Sequence, residues 1–403
     1  MKYVPIPIAM LEVGKLLPVD VWTPDGRLLL RKGLPVESEQ HRERLYAHNA
    51  STTVSEAQAW QRSYERMVHA MLRDGENVQK IARMTMPSEI SARDFSAGEP
   101  IKGGWLDLQE VMRGILYQGG LAINPLARLD DIEKKILGLL KEDTDDSLFC
   151  LFQALGDNSL GYSATHALLC AVVCELVAQM VGMSVVQRKS LMSAALTMNI
   201  SMAREQDSLS IQKLAPSEAQ KELIREHPQK SVEILKGLGA DDPDHLNLVR
   251  WHHEGDAVEG MSRIQLSRQI LGMADVFVAK MAARESRAAQ APLKAAKSIV
   301  LQSSEGQTAS VSSAMAKAVG FYPPGSYVRL VTGETALVVQ RGARANAPWV
   351  ISVVDKDGMP NVKYTCKNTA EPALAIAEPA TLKKGRMAVD ADRMRRAREK
   401  IPR

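Results

Sequence analysis

Between His166 and Val181 the chain reads His-Ala-Leu-Leu-Cys-Ala-Val-Val-Cys-Glu-Leu-Val-Ala-Gln-Met-Val, apolar nearly all round a helix. A helix at the surface keeps a polar face for water, so this one has to be enclosed by other elements. Its apolar part, Ala167 to Val181, is interrupted by Glu175 and Gln179 and reads as too short to span a bilayer. The expectation is a helical domain built around this segment. His166 opens the helix, and burying an imidazole without a partner costs on the order of 1–3 kcal/mol. A metal ion or a facing carboxylate would satisfy it equally.

Candidate partners lie downstream. The stretch Leu246 to Arg287 contains the pair His252-His253 and then Asp275, flanked by core residues in Ile-Leu-Gly-Met-Ala-Asp275-Val-Phe. His227 precedes Pro228, a residue favoured at the first position of a helix because its missing N–H would be unbonded there anyway. That places His227 at a helix start. A lone His-His pair is usually a surface or half-buried pair. Four imidazoles and a carboxylate, each tied to a helix, are a reasonable ligand set for a transition metal.

The order of these segments carries a resemblance. His166, Ala194 through Met202, Glu226-His227-Pro228, His252-His253-Glu254 and Ala274-Asp275-Val276-Phe277 resemble the HD-GYP family of bacterial cyclic di-GMP phosphodiesterases over roughly residues 145 to 340. Arg284-Glu-Ser-Arg287 is similar to the family's basic Arg-Pro-Tyr-Arg segment. Gly320-Phe-Tyr-Pro-Pro-Gly resembles the start of its closing segment.

The departures fall on the chemistry. Where the family carries the His-Asp pair whose Asp bridges two metals, this chain has Met198 and Asn199. Ser201 and Met202 replace the Gly-Lys that follows. The loop after Glu254 is short and lacks Gly-Tyr-Pro, and Tyr162 stands where the family often has a ligating Glu four residues before His166. A bridging carboxylate both binds two cations and helps generate the hydroxide between them. Neutral Asn199 does neither, and the Met198 thioether is a soft ligand, poor for iron, manganese or magnesium. The resemblance therefore implies a degenerate member with two-metal hydrolysis impaired or lost.

What survives is His166, His227, His252, His253 and Asp275, enough for one divalent transition metal, iron or manganese, or else remnants kept by packing and hydrogen bonding. Arg284 and Arg287, three apart on one helix face, would contact phosphate, since guanidinium forks match its oxygens. The expected function is a signalling protein binding a cyclic dinucleotide such as cyclic di-GMP, another nucleotide or a partner protein, with weak or no hydrolysis. The alternatives are a residual metal-dependent phosphodiesterase or phosphohydrolase and a non-catalytic interaction scaffold.

Composition bounds the rest. With 45% hydrophobic and 24% charged residues this is an ordinary globular chain. A net charge of +4 over 403 residues does not suggest a dedicated nucleic-acid binder, and 4% aromatics argue against stacking platforms for single strands. Cys150, Cys170, Cys174 and Cys366 fit no metal or redox spacing; Cys170 and Cys174 read as small hydrophobes within the apolar helix. Such cysteine usage and the lack of a secretory signal pattern point to the cytoplasm.

The predicted architecture is mainly α, a helical HD-type domain flanked by a small N-terminal β-rich module and a small C-terminal antiparallel β segment. Residues 1–50 form the β module, with Asp25-Gly26 turning a hairpin between Leu16–Trp22 and Arg27–Arg31. Residues 55–104 hold an amphipathic helix, which packs on the main domain or pairs with its copy in a homodimer, and a linker. Residues 105–325 form the helical domain, with 203–222 as a solvated connector. Residues 326–365 alternate as strands, and 366–403 read as an Ala/Pro/basic tail.

Overall fold

The structure is a computed structural model and describes residues 3–74, 76, 80–81, 84–90, 104–122, 124–156, 161–254, 264–282, 294, 306–361, 363–380 and 391–401. It is mainly helical, with a small antiparallel sheet near each end of the chain. Two compact units are present. The first comprises Met1–Lys135, Thr197–Leu209 and Pro216–Arg250; the second comprises Ile136–Leu196, Ser210–Ala215 and Trp251–Arg403.

In the first unit, strands β1 (Tyr3–Pro5), β2 (Val21–Trp22), β3 (Leu28–Leu30) and β4 (Ser51–Thr53) form a sheet in the order β1-β4-β2-β3, and helix α1 (Glu39–Ala47) lies between β3 and β4 in the chain. The expected hairpin is there: Val21 faces Leu30 and Trp22 faces Leu28, around a turn in which Gly26 takes a φ of 93°. That left-handed value suits glycine and few other residues. Leu11, Leu17, Val19, Val21, Val36 and Trp60 fill its core. Trp60 belongs to α2 (Val54–Arg73) and donates its indole N–H to the Pro87 carbonyl at 2.7 Å, so part of the predicted linker closes this core.

Helix α2 packs against α3 (Trp105–Gln118). The crossing is close, since a Cβ at Gly114 would stand 2.8 Å from Glu65 Cγ. After α4 (Pro125–Glu142), α5 (Thr144–Leu155), α6 (Tyr162–Met180) and α7 (Val185–Thr197), the segment expected to be a solvated connector instead contains helix α8 (Ala203–Ile211). Gln206, Asp207 and Ser210 on α8 are buried. The burial of Asp207 is stabilised by hydrogen bonding, since Tyr117 donates to it with a short bond, while Arg204 reaches the Tyr117 carbonyl at 2.7 Å and the Tyr64 hydroxyl at 2.9 Å. Helices α9 (Glu218–Gly237) and α10 (Pro243–Trp251) follow.

The second unit is organised on α6, which packs against α5, α11 (Gln265–Met281) and α12 (Gly306–Val319). Helix α6 starts a turn earlier than expected, at Tyr162. Among the described residues it is therefore the one helix long and apolar enough to cross a bilayer, but 83% of it is buried against its own neighbours.

Strands β5 (Tyr327–Leu330), β6 (Thr335–Gln340), β7 (Trp349–Val354), β8 (Cys366–Asn368) and β9 (Ile376–Ala380) form an antiparallel sheet in the order β8-β7-β6-β5-β9. The segment read as a tail thus supplies both edge strands and helix α13 (Ala391–Arg398). Met394, Ala397 and Ile401 are buried with Leu337, Val339, Ile351 and Val353 on one side of the sheet, while Val328, Leu330, Ala336 and Val338 fill the other. An arginine-rich stretch hid the three apolar positions that dock it. Arg398 is held by Asp143 and Asp146 at the start of α5, which also caps its own first turn through Asp143.

Candidate functional site

In the second unit, α6 and α11 bring His166 and Asp275 together. His166 Nε2 lies 2.9 Å from Asp275 Oδ1, and His166 Nδ1 lies 3.0 Å from the Tyr162 hydroxyl one turn earlier. With Nε2–H donating to the carboxylate and Nδ1 accepting from Tyr162, a neutral imidazole is satisfied at both nitrogens while only 1% of its side chain is exposed. Burial works against ionisation of Asp275. The hydrogen bond from His166 and the imidazoles of His166, His252 and His253 outweigh it and hold the carboxyl well below the usual carboxylate range.

The histidine pair follows the last residue of α10. Its rings lie 4.0 Å apart, centre to centre, with His252 buried and His253 half exposed. His253 Nδ1 stands 3.9 Å from Asp275 Oδ2, on the side of the carboxylate that His166 leaves open. The segment is fixed from behind, where Arg268 donates to the Glu254 carbonyl at 2.7 Å.

Cys170, one further turn along α6, completes this cluster. Its Sγ is 3.5 Å from His166 Nε2, and donor atoms of His166, Cys170 and Asp275 all lie within 4.8 Å of one another. Burial, then the nearby Asp275 and Cys174, push the Cys170 thiol well above its ordinary range. A tetrahedral ion with ligands at about 2.0–2.3 Å holds its donors roughly 3.3–3.6 Å apart, so a metal here would have to part His166 Nε2 from Asp275 Oδ1, which lie at 2.9 Å.

His227 lies in the first unit and departs from expectation. It is not at a helix start: α9 begins at Ser217, whose side chain caps the Gln220 N–H and is capped in return. Pro228 therefore sits inside the helix and supplies no N–H to the Ile224 carbonyl. His227 Nδ1 approaches that oxygen at 2.6 Å and takes the missing donor's place. With the ring proton on Nδ1, this local bond puts the imidazole lone pair on Nε2.

Met198 and Asn199, also in the first unit, occupy the turn after α7. Met198 is fully buried, and the Asn199 carbonyl accepts from the Met202 N–H at 3.0 Å. Ser201 donates to the His227 carbonyl and is bonded to Ser231, which ties this turn to α9. Arg284 and Arg287 lie outside the described residues, as does the short loop after Glu254.

Tyr162 and Cys170 are contributors that the sequence had not assigned to the site. Their spacing of four on either side of His166 was visible, but Tyr162 was read only as replacing a ligating Glu and Cys170 as a small hydrophobe.

No family model matches the chain, and no curated protein matches it. A structure of Bd1817, an HDG"Y"P protein from Bdellovibrio bacteriovorus, aligns with 78% of this chain and 98% of its own length, at 14% identity and a TM-score of 0.39. A likeness at that level assigns neither family nor activity.

Proposed function

We propose that this chain is a degenerate HD-GYP-like signalling protein that binds a cyclic dinucleotide such as cyclic di-GMP and hydrolyses it weakly or not at all. The observation that supports the loss of hydrolysis is the character of residues 198 and 199. A buried thioether and a neutral amide occupy the two sequence positions at which the family that the chain resembles carries its His-Asp pair, and neither is the bridging carboxylate that two-metal hydrolysis needs. His166 meanwhile hydrogen-bonds Asp275 through one ring nitrogen and Tyr162 through the other. In this reading Arg284 and Arg287 carry the phosphate contacts.

Calorimetry with cyclic di-GMP, beside chromatography of products in manganese and in ferrous iron, tests both halves. Binding that weakens at least tenfold in an Arg284→Ala, Arg287→Ala variant, with no linear dinucleotide formed, is the expected result. Absence of binding by the folded native chain would refute the proposal and leave a scaffold for a protein partner. Metal-dependent product lost in Asp275→Ala would favour a residual phosphodiesterase.

A further inference from the structure

A cavity of about 70 Å³ lies in the second unit between the end of α12 and the loop from β6 to β7, lined in part by Lys317, Tyr322 and Arg341. We infer that it is a binding site for a phosphate group, held by the Lys317 ammonium, the Tyr322 hydroxyl and Nη2 of Arg341. The inference does not rest on the cyclic-dinucleotide reading, whose phosphate contacts fall to Arg284 and Arg287.

Tyr322 is the residue that points to a ligand. Only 8% of it is exposed, and its hydroxyl makes no hydrogen bond among the described residues. That oxygen nevertheless stays open to the cavity instead of being sealed in the core. Burial pushes its pKa up, which keeps the group protonated and able to donate.

Arg341 is aimed by its other bonds. Its backbone N–H and Nε donate to Asp145 Oδ1 at 3.1 and 2.7 Å, and Nη1 donates to the Ala318 carbonyl at 2.6 Å. Nη2 is left without a partner among the described residues, on a guanidinium fixed at two other points. Carbonyls at a helix C-terminus repel anions. Here Arg341 covers that of Ala318, and the Gly320 N–H covers that of Ala316 at 3.0 Å. Lys317 is exposed and has no acidic partner among the described residues. With Asp145 offsetting Arg341, the set keeps a net positive charge for an anion to neutralise.

The wall is preformed. The Phe321 N–H donates to the Ala345 carbonyl at 2.8 Å, tying the loop to the end of α12, and a Cβ on Gly342 would stand 1.9 Å from the Ala347 carbonyl oxygen. A water-sized atom needs about 10–15 Å³ of such space, so the cavity holds roughly five heavy atoms, the number in a phosphate group. A dianion also suits two cations better than a carboxylate does.

The test follows thermal unfolding and calorimetric binding of the full folded chain in inorganic phosphate, beside sodium chloride of matched ionic strength and beside acetate. Phosphate should raise the melting temperature above both, because a ligand that binds only the native state stabilises it. Tyr322→Phe should melt with the native chain in chloride, since the lost hydroxyl bonds nothing there, yet bind phosphate about tenfold more weakly. Lys317→Ala should weaken binding by about as much and flatten its salt dependence. Should Tyr322→Phe melt early in chloride, Lys317→Ala, whose side chain is exposed, decides alone. Adenosine monophosphate separates the sources: tighter binding that Tyr322→Phe still weakens marks a phosphate ester as the occupant, and weaker binding marks the free ion. No stabilisation by phosphate over chloride, equal stabilisation by acetate, or both variants binding phosphate as the native chain does would overturn the inference.

Discussion

A Cβ placed on Gly272 would stand 2.8 Å from the carbonyl oxygen of His252. Helix α11 therefore needs glycine one turn before Asp275, so that the backbone carrying the histidine pair can lie against it. Alanine in a helix interior ordinarily gains roughly 0.5–1 kcal/mol over glycine. Gly272→Ala should do the reverse, losing about 1–3 kcal/mol in denaturant unfolding because one backbone has to move away from the other.

His245 provides the pH dependence. It is buried on α10 with Nε2 2.7 Å from the Thr197 hydroxyl, and burial, opposed by Asp242, holds its pKa down to about 4. In the unfolded chain the value returns to about 6.5. Between these limits the unfolded chain binds a proton that the folded chain refuses, so stability falls as pH drops from 6.5 towards 4 and levels off below. The contribution is on the order of 3 kcal/mol over that window. His245→Gln should make the unfolding free energy correspondingly flatter across the same pH range.

Tyr117 and Asp207 should be energetically coupled. Each is buried and they share a short hydrogen bond, so removing either partner destabilises the first unit. Tyr117→Phe and Asp207→Asn should each cost about 1–3 kcal/mol. The double variant should cost clearly less than the sum, and a double-mutant cycle on unfolding free energies measures the difference.

Arg398 faces both oxygens of Asp143 at 3.0 Å and Asp146 at 3.2 Å. Asp143 is about half exposed, so water and salt screen this clasp. Arg398→Ala should cost about 1 kcal/mol and speed proteolysis near α13, while Arg398→Lys restores only part because it lacks the fork. Raising the ionic strength should bring the native chain and the alanine variant closer together.

The periodic signals were legible in the sequence. The hairpin at Asp25-Gly26, the buried helix around Val172 and the strands from Tyr327 to Val354 stand where alternation and turn residues place them. Signals that depend on a distant partner were hidden. Asp207 looks solvated until Tyr117 is beside it, and Pro228 looks like a helix start until the Ser217–Gln220 cap and the His227 bond are seen. The pairing of His166 with Asp275 was foreseen as one of two options. Cys170 was not, because a thiol next to an imidazole and a thiol next to leucines have the same local sequence.

The sheet order β8-β7-β6-β5-β9 also bears on how the protein is made. Strands β5 to β7 leave the ribosome first as a three-stranded meander with two open edges, and the strands that cover those edges come from residues 366–380. The apolar side under Met394, Ala397 and Ile401 is covered later still. During that interval the nascent meander is a template for pairing with other chains. A message truncated anywhere between residues 355 and 365 would yield that sticky intermediate as its final product.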